Sequence, residues 1–249
     1  MIGFKWIGLI IMSSILVAVP DNLTRNYKQG LFAYQSGKFE QAVTAFEKIL
    51  DNNWESSELY YNLGNAYYRH ENTGGAVWAY EQSLLNDPSN EDARFNLKLA
   101  NVNVKDRIDM PEAPLYLKLY LSLKGEFTSG QWLNISFLLM LIFSICVLIR
   151  KLWAIHILSI LENIFLVALS LCFFLTVHSL WSDGNISEGI IYKDMVNVHS
   201  EPNSSATILF KVHEGLKVAI VESSRNWVEV ELIDGKSGWV NSIEIRGIQ

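Results

Sequence analysis

Two long, uncharged apolar runs constrain the fold of this chain more than any other feature of its sequence. They cover residues 132–149 and 163–181, and each approaches the roughly 20 residues that a helix needs to cross a bilayer. Half of the 249 residues (50%) are hydrophobic, and the excess is concentrated in such blocks. We therefore predict two transmembrane helices, with Trp132 and Trp181 as aromatic anchors at the same outer interface.

The connector between the two runs, residues 150–162, predicts their orientation. Arg150 and Lys151 are its only basic residues apart from histidine, and basic loops stay on the cytoplasmic side. The sequence thus predicts a hairpin that turns in the cytoplasm, with both flanking regions exported. Glu162 either lies in the bilayer as a functional carboxylate or lies at the headgroups. We favour the headgroups, because residues 163–181 alone are long enough to span.

Residues 1–20 have the order of a secretory signal. Lys5 precedes an apolar run from Trp6 to Val19, as in a signal peptide. The cleavage pattern of small residues is incomplete, and Pro20 weakens it further. A cleaved signal peptide is favoured and a retained N-terminal anchor is the alternative; either one carries the following segment across the membrane.

Residues 21–108 contain a repeat with a period of 34 residues. The recurring pairs, each 34 positions apart, are Gly30 and Gly64, Ala42 and Ala76, and Phe46 and Tyr80. Small residues let the two helices of a hairpin approach closely, and the aromatic rings fill the groove between them. A third unit, beginning near Asn90, supplies only a first helix, which would cap the array.

These units resemble the tetratricopeptide repeat (TPR), an all-α array of helical hairpins. The chain departs from that family at Glu71, where glycine is preferred, and at Trp54, where proline is frequent. The resemblance implies that an extended peptide binds along the first helices. The positions carried over as partner-binding candidates are Tyr27, Tyr61, Asn62, Asn65, Arg69 and Asn96.

The asparagines among these candidates allow two interpretations. Their amides can both donate to and accept from a peptide backbone, but Asn62 and Asn96 could equally join neighbouring helices. Asn65 shares a helix face with Asn62 and Arg69, because residues three and four apart project to one side. We therefore expect Asn65 to bind a partner and to contribute little to folding.

The linker, residues 109–131, opens with a proline-containing stretch that stops helices. The alternating leucines from 115 to 123 would fit a strand. A helix would instead place Lys118 and Ser122 on one narrow polar face. Immediately before a membrane span, an interfacial helix is the favoured interpretation.

Residues 187–249 change to short β-rich runs separated by turns, which predicts a small all-β barrel. Asp234 and Gly235 mark a hairpin turn. The segments VNVHSEP, HEG, NWVEVEL and DGKSGWV resemble a bacterial SH3 domain. Trp227 and Trp239 could line a ligand groove or belong to the core. Their positions, at a strand start and after Gly238, favour the core.

The order of these modules resembles that of the Bat aerotolerance family, in its BatE-like, TPR-bearing branch. The resemblance implies a protein of the bacterial inner membrane with its TPR and SH3-like domains on the periplasmic side. It implies von Willebrand A-domain Bat proteins and a MoxR-type ATPase system as partners, in aerotolerance or envelope stress.

Composition and motifs restrict the functional class. The net charge is −6 and no basic patch accompanies the aromatic residues, so nucleic acid is not an expected partner. The sequence has no recognisable catalytic or metal-binding constellation, so we expect a protein that is not an enzyme and needs no cofactor. The connector, residues 150–162, is too short to hold a cytoplasmic signalling domain. This favours a protein–protein interaction scaffold that uses the TPR groove. The alternative is a cell-wall or ligand sensor that binds peptidoglycan through the SH3-like domain.

Overall fold

The structure is a computed structural model that describes residues 20–106, 114–125, 127–153, 158–185 and 187–248. The predicted signal or anchor, apart from Pro20, lies outside these residues, as do the first residues of the predicted linker. The described chain forms a helical repeat domain, a pair of long apolar helices and a β domain. This multidomain layout is the one predicted from the sequence.

Five helices form the repeat domain. They are α1 Asp21–Gln35, α2 Phe39–Leu50, α3 Ser57–Arg69, α4 Thr73–Asn86 and α5 Glu91–Val102. Helices α1 and α2 form the first hairpin, α3 and α4 the second, and α5 packs on α4 as the first helix of a third unit. Ser56, Asn72 and Asn90 accept backbone N–H donors at the starts of α3, α4 and α5. These caps satisfy donors that have no partner within the helix.

The close contacts inside each hairpin follow the predicted register. A Cβ atom built on Gly30 would lie 2.5 Å from the Phe46 ring, and one on Gly64 would lie 2.6 Å from the Tyr80 ring. Ala76 is completely buried. Only glycine lets the aromatic ring of the facing helix approach so closely, so the 34-residue repeat is confirmed as a packing repeat.

The turn inside each hairpin shows what the departure at Glu71 means. Gly37 and Glu71 occupy the same repeat position, and both have positive φ angles, 74° and 61°. This left-handed conformation suits glycine, whereas a residue with a Cβ atom is strained by about 1–2 kcal/mol. The second hairpin therefore retains the family's turn conformation although it lacks the residue that best adopts it.

Three helices follow the repeats: α6 Leu115–Gly125, α7 Ser129–Trp153 and α8 Leu158–Asn185. Helix α6 confirms the helical interpretation of the alternating leucines. Within α7 and α8, the segments Ser129–Trp153 and Ser159–Leu180 are long and apolar enough to cross a membrane, with mean hydropathies of 2.5 and 2.3. The two helices pack along each other, and their Ser136 and Thr176 hydroxyls lie 3.2 Å apart.

Both ends of this helix pair carry specific contacts. At the connector end, the Arg150 Nε atom lies 2.9 Å from Glu162 Oε1, and the Glu162 side chain is only 11% exposed. Glu162 lies in the first turns of α8, which begins at Leu158. The ion pair to Arg150 of α7 offsets the charge of its carboxylate. At the other end, the Tyr120 hydroxyl of α6 lies 2.7 Å from His178 Nδ1 of α8. Helix α6 therefore contacts the helix pair near the C-terminus of α8, at the end away from the connector.

The C-terminal domain is a seven-stranded antiparallel sheet with strand order β3-β2-β6-β5-β4-β1-β7. The strands are β1 Ser187–Ile191, β2 Met195–His199, β3 Ile208–His213, β4 Lys217–Ser224, β5 Trp227–Glu231, β6 Ser237–Asn241 and β7 Ile245–Ile248. A 3-10 turn, Ser242–Glu244, precedes β7. Alternate residues such as Val198, Val230 and Val240 are fully buried, which gives the small barrel its core.

Candidate functional site

The β domain docks onto the second helix of the second repeat, α4. The Trp78 indole N–H and the Gln82 amide donate to the Gly247 carbonyl of β7, at 2.9 and 3.4 Å. Ile190 and Ile248 of the β domain belong to the same buried cluster as the repeat core. The edge strand of the sheet is thereby covered by a helix, which also removes an aggregation-prone edge.

The start of α4 fits closely against the β domain. The Gly74 N–H donates to Glu214 Oε2 at 3.1 Å, so a carboxylate lies at a helix N-terminus, where it is stabilising. A Cβ atom on Gly74 would lie 2.8 Å from the Ile191 carbonyl oxygen. Close by, His213 Nδ1 lies 2.9 Å from Asp106 Oδ1. Glycine at position 74 is therefore required by a contact between domains.

Arg246 occupies the centre of this interface. Its Nη2 atom lies 2.8 Å from Glu47 Oε1, and its Nη1 atom donates to the Tyr67 hydroxyl at 3.0 Å. The guanidinium also lies over the rings of Tyr192 and Trp78, 4.2 and 4.7 Å from their centroids. Burial alone would lower the pKa of Arg246, but the Tyr67 and Glu47 contacts raise it. The guanidinium is a charged group enclosed by aromatic rings and a carboxylate.

Two lysines add ion pairs at the border of the interface. Lys217 lies 3.4 Å from Glu81 of α4 and 2.7 Å from Glu188 of β1. Burial alone would lower the pKa of Lys217, but the two carboxylates raise it above its usual value. Lys105 lies 2.9 Å from Asp194, and both side chains are largely exposed. An exposed pair of this kind contributes little to stability.

This docking restricts the topology. Because the repeat domain and the β domain contact each other, both must lie on the same side of the α7–α8 pair. Two spans between them return the chain to the side from which it left. The described contacts therefore agree with a hairpin.

The first helices of the repeats, together with Tyr80 of α4, leave a cavity of about 140 Å³. It is lined by Tyr34, Asn65, Tyr68, Arg69, Tyr80, Asn96 and Leu99. A wider depression of about 360 Å³, which also includes Tyr68 and Arg69, adjoins it near the α3–α4 turn. We call these two openings together the repeat groove. Three predicted residues, Asn65, Arg69 and Asn96, line it.

Two of the remaining predicted residues, Tyr27 and Asn62, form a separate polar network with Glu58. The Asn62 amide donates to the Tyr27 hydroxyl at 2.8 Å, and that hydroxyl donates to Glu58 Oε1 at 2.6 Å. Tyr61 packs against Tyr80, with ring centroids 6.4 Å apart. Asn62 and Tyr27 therefore join α3 to α1, which supports the interpretation that Asn62 connects neighbouring helices.

The expectation that Asn65 contributes little to folding is wrong. Its Oδ1 atom accepts hydrogen bonds from the Tyr80 hydroxyl and from the Asn96 amide, both at 2.8 Å. A single side chain thus joins α3 to α4 and to α5. Asn96 has the same connecting role, because its amide completes this network.

The aromatic and aliphatic residues of the groove were not predicted from the sequence. Tyr34, Tyr68 and Leu99 line it, and Leu99 is 43% exposed. Tyr34 and Tyr68 are one repeat period apart, so the register that identified Tyr27 and Tyr61 could also have identified them. The Arg69 guanidinium lies 4.6 Å from the centroid of the Phe39 ring, which holds this cation at the mouth of the groove.

The two tryptophans of the β domain are not core residues, so the preference for the core is wrong. Trp227 and Trp239 are partly exposed, whereas Val228 and Val240, their neighbours in sequence, are buried. Successive strand residues point to opposite faces, which places both tryptophans on the outer face. There the His199 ring packs edge-on against Trp227 at 5.4 Å. Both tryptophans remain ligand-groove candidates.

Comparisons with known proteins agree with this division into domains. Residues 27–102 match the family model for the tetratricopeptide repeat, and residues 192–247 match that for the bacterial SH3 domain. A search among curated proteins gave no match. The chain therefore combines a tetratricopeptide repeat region and a bacterial SH3-like domain, joined by two candidate membrane-spanning helices.

Proposed function

We propose that this chain is a membrane-anchored protein–protein interaction scaffold of the Bat aerotolerance and envelope-stress type, and that it is not an enzyme. Its repeat groove binds a segment of a partner protein. The observation that carries this proposal is the asymmetry of the repeat domain. The SH3-like domain occupies the α4 side, while the groove lined by the first helices is open.

The side chains of the groove indicate what kind of segment it binds. Tyr34, Tyr68 and Leu99 offer apolar surface, and rigid aromatic residues are typical anchors of protein interfaces. Arg69 is exposed at the mouth and can hold a carboxylate in a bidentate pair. The amide oxygen of Asn65 is already used within the domain. The groove therefore suits an extended segment with apolar side chains and an acidic residue.

The resemblance to the Bat family supports the choice of partners and location. On that basis the partners are von Willebrand A-domain membrane proteins that act with a MoxR-type ATPase system. The location is the bacterial inner membrane, with both domains in the periplasm. Arg150 and Lys151 at the hairpin turn support this orientation. Reporter fusions after residues 106 and 249 should report the exported side, and one after Lys151 the cytoplasm.

A pair of matched variants tests the groove. Leu99 and Leu85 are 43% and 47% exposed, and each lies near the end of its helix. Leu99→Asp places a charge in the groove, whereas Leu85→Asp places one on a surface outside it. In cells that co-express a tagged von Willebrand A-domain protein, Leu99→Asp should lower co-purification about tenfold, as expected for losing about 1.4 kcal/mol of binding.

The control variant should retain the partner, and both variants should melt close to the wild type. Equal recovery of the partner with Leu99→Asp and the wild type would contradict groove binding.

A second candidate function, a cell-wall sensor, rests on the partial exposure of Trp227 and Trp239. In that case the full chain in detergent should bind peptidoglycan fragments, and Trp239→Leu should abolish the binding. The acidic residues around these tryptophans disfavour this function, because peptidoglycan stem peptides carry carboxylates of their own.

A further inference from the structure

A second surface of the SH3-like domain combines tryptophan with negative charge. We define the Trp–Glu face as Trp227, Trp239, Glu222, Glu229 and Glu231. In the sheet register, Glu229 of β5 lies between Trp239 of β6 and Glu222 of β4. Trp227, Glu229 and Glu231 alternate along β5, so they point to the same side of the sheet.

Among the residues that the structure describes, the carboxylates of this face have no ion-pair partner. Glu222 and Glu229 are directly opposite each other on neighbouring strands. Two like charges in this arrangement destabilise the sheet. None of the ion pairs between described side chains includes Glu222, Glu229 or Glu231. A cation bound between them would turn this repulsion into attraction.

Arg246 of the same chain shows which kind of group binds between carboxylates and aromatic rings. At the docking interface, a carboxylate and several aromatic rings enclose the Arg246 guanidinium. The Trp–Glu face offers the same two components, indole rings beside carboxylates. A cation over the face of a tryptophan is attracted by the ring, and tryptophan is the best of the aromatic residues for this purpose.

The face remains accessible when the domains are docked. The repeat helix α4 packs against β1 and β7, which lie together at one end of the strand order. The Trp–Glu face lies on β4, β5 and β6, and Glu222 and Glu231 are exposed. A partner can therefore reach it without displacing the repeat domain.

We propose that the Trp–Glu face binds an extended segment of a protein partner that carries lysine or arginine at alternate positions. Glu229 and Glu231 are two residues apart, about 7 Å along the strand. Alternate side chains of an extended peptide have the same spacing, so two cations can pair with two carboxylates in succession. Three carboxylates attract more than one cation, and they repel ligands that bear carboxylates of their own. This inference does not depend on the repeat groove.

Isothermal titration calorimetry on the full chain in a neutral detergent tests the proposal. The probe is a capped pentapeptide that alternates lysine and alanine, and its control replaces each lysine with norleucine. The lysine peptide should bind, and the norleucine peptide should bind at least tenfold more weakly. Glu229→Gln should weaken the lysine peptide about threefold to tenfold, as expected for losing one charge and its support of the cation.

A matched variant separates the face from the overall negative charge. Glu40→Gln removes the same charge from an exposed position on α2, and it should leave the affinity unchanged. The proposal is overturned if the lysine peptide does not bind at millimolar concentration, or if the norleucine peptide binds equally well. It is also overturned if Glu40→Gln weakens binding as much as Glu229→Gln, or if peptidoglycan fragments bind more tightly than the lysine peptide.

Because Glu229→Gln keeps the size of the side chain, it should fold normally. A far-ultraviolet circular dichroism spectrum and a melting curve verify this. Raising the salt concentration provides a second readout on unaltered protein, because screening should weaken the lysine peptide and leave the norleucine peptide unaffected. Salt-independent binding of the lysine peptide would also overturn the proposal.

Discussion

Replacing Arg246 by alanine removes the side chain that joins the SH3-like domain to the repeats. The guanidinium lies within 6 Å of three ring centroids, those of Tyr192, Trp78 and Tyr67, at 4.2, 4.7 and 5.8 Å. It also pairs with Glu47 at 2.8 Å. Arg246→Ala leaves the rings and the carboxylate in place without the cation that they share.

The expected loss of docking free energy follows from these contacts. Cation–π contacts contribute about 0.5–1 kcal/mol each at exposed sites. The Arg246 and Glu47 side chains are 31% and 34% exposed, so solvent screening holds their ion pair to at most about 1 kcal/mol. Together these contacts amount to about 2–3 kcal/mol, because three rings sharing one cation contribute less than the sum of separate pairs.

Hydrogen–deuterium exchange of the full chain in detergent measures this loss. In the docked state the Gly247 carbonyl of β7 accepts from Trp78 and Gln82, and undocking exposes this edge strand and the α4 surface. A loss of about 2 kcal/mol corresponds to roughly 30-fold faster exchange through local opening. Peptides covering β7 and α4 should therefore exchange faster, and those from β5 and β6 should be unaffected.

Arg25→Ala, on the exposed surface of α1, is the matched control and should leave exchange unchanged. A double-mutant cycle with Glu47→Gln should give a coupling energy of about 0.5–1 kcal/mol between the two side chains. If Arg246→Ala leaves the exchange of β7 and α4 at the wild-type rate, other contacts hold the domains together and Arg246 is not the residue that joins them.

Glu71→Gly should raise the free energy of unfolding by about 0.5–1 kcal/mol, because glycine adopts the positive φ of 61° without strain; chemical denaturation measures this, and no gain would show that the turn is unstrained. Ala76→Trp should cost at least about 1–3 kcal/mol because position 76 is fully buried, and an unchanged melting temperature would place it on the surface. Asn65→Ala should cost about 1–3 kcal/mol because two donors lose their acceptor; a wild-type melting curve would mean that these bonds do not form. Lys217 has a raised pKa in the folded chain. Its ion pairs therefore contribute fully to the free energy of unfolding below the usual lysine pKa near 10.4, and this contribution is lost as the pH rises through the raised pKa. Between pH 9 and 12 the melting temperature of Lys217→Arg should therefore fall less than that of the wild type, and parallel curves would contradict the ion pairs.

Features of the fold that repeat or that extend over many residues were predictable from the sequence. The 34-residue period identified the close helix contacts at Gly30 and Gly64, because a packing repeat imposes the same small residue at the same place in each unit. The two apolar runs predicted α7 and α8, because a spanning helix needs a minimum length of uncharged chain. The turn at Gly235 was predictable because it requires a positive φ angle, which this glycine has, at 83°.

The candidate site was only partly predictable. The repeat register located the groove and Arg69, but asparagine donates and accepts in both intramolecular and intermolecular contacts. Residue type alone could not show that the Asn65 oxygen is used inside the domain. For Trp227 and Trp239, the face of the sheet follows from the alternation of side chains along each strand. The alternation in the sequence carried this signal, because Trp227 is in phase with Glu229 and Glu231 and out of phase with the apolar Val228 and Val230.

The sequence by itself determined which segments become helices, spans and strands, since these depend on local periodicity and length. Only the tertiary structure decided how the two outer domains meet. Arg246 and Glu47 are 199 residues apart in the chain, and the α7–α8 hairpin lies between them in the sequence. Glu47 lies in the second helix of the first repeat, but the repeat pattern indicates no partner outside the repeats, and Arg246 belongs to no repeat or apolar run. Their pairing depends on how the whole domains are arranged. That arrangement brings the Arg246 guanidinium to aromatic rings and to the Glu47 carboxylate, and no local sequence pattern links these groups.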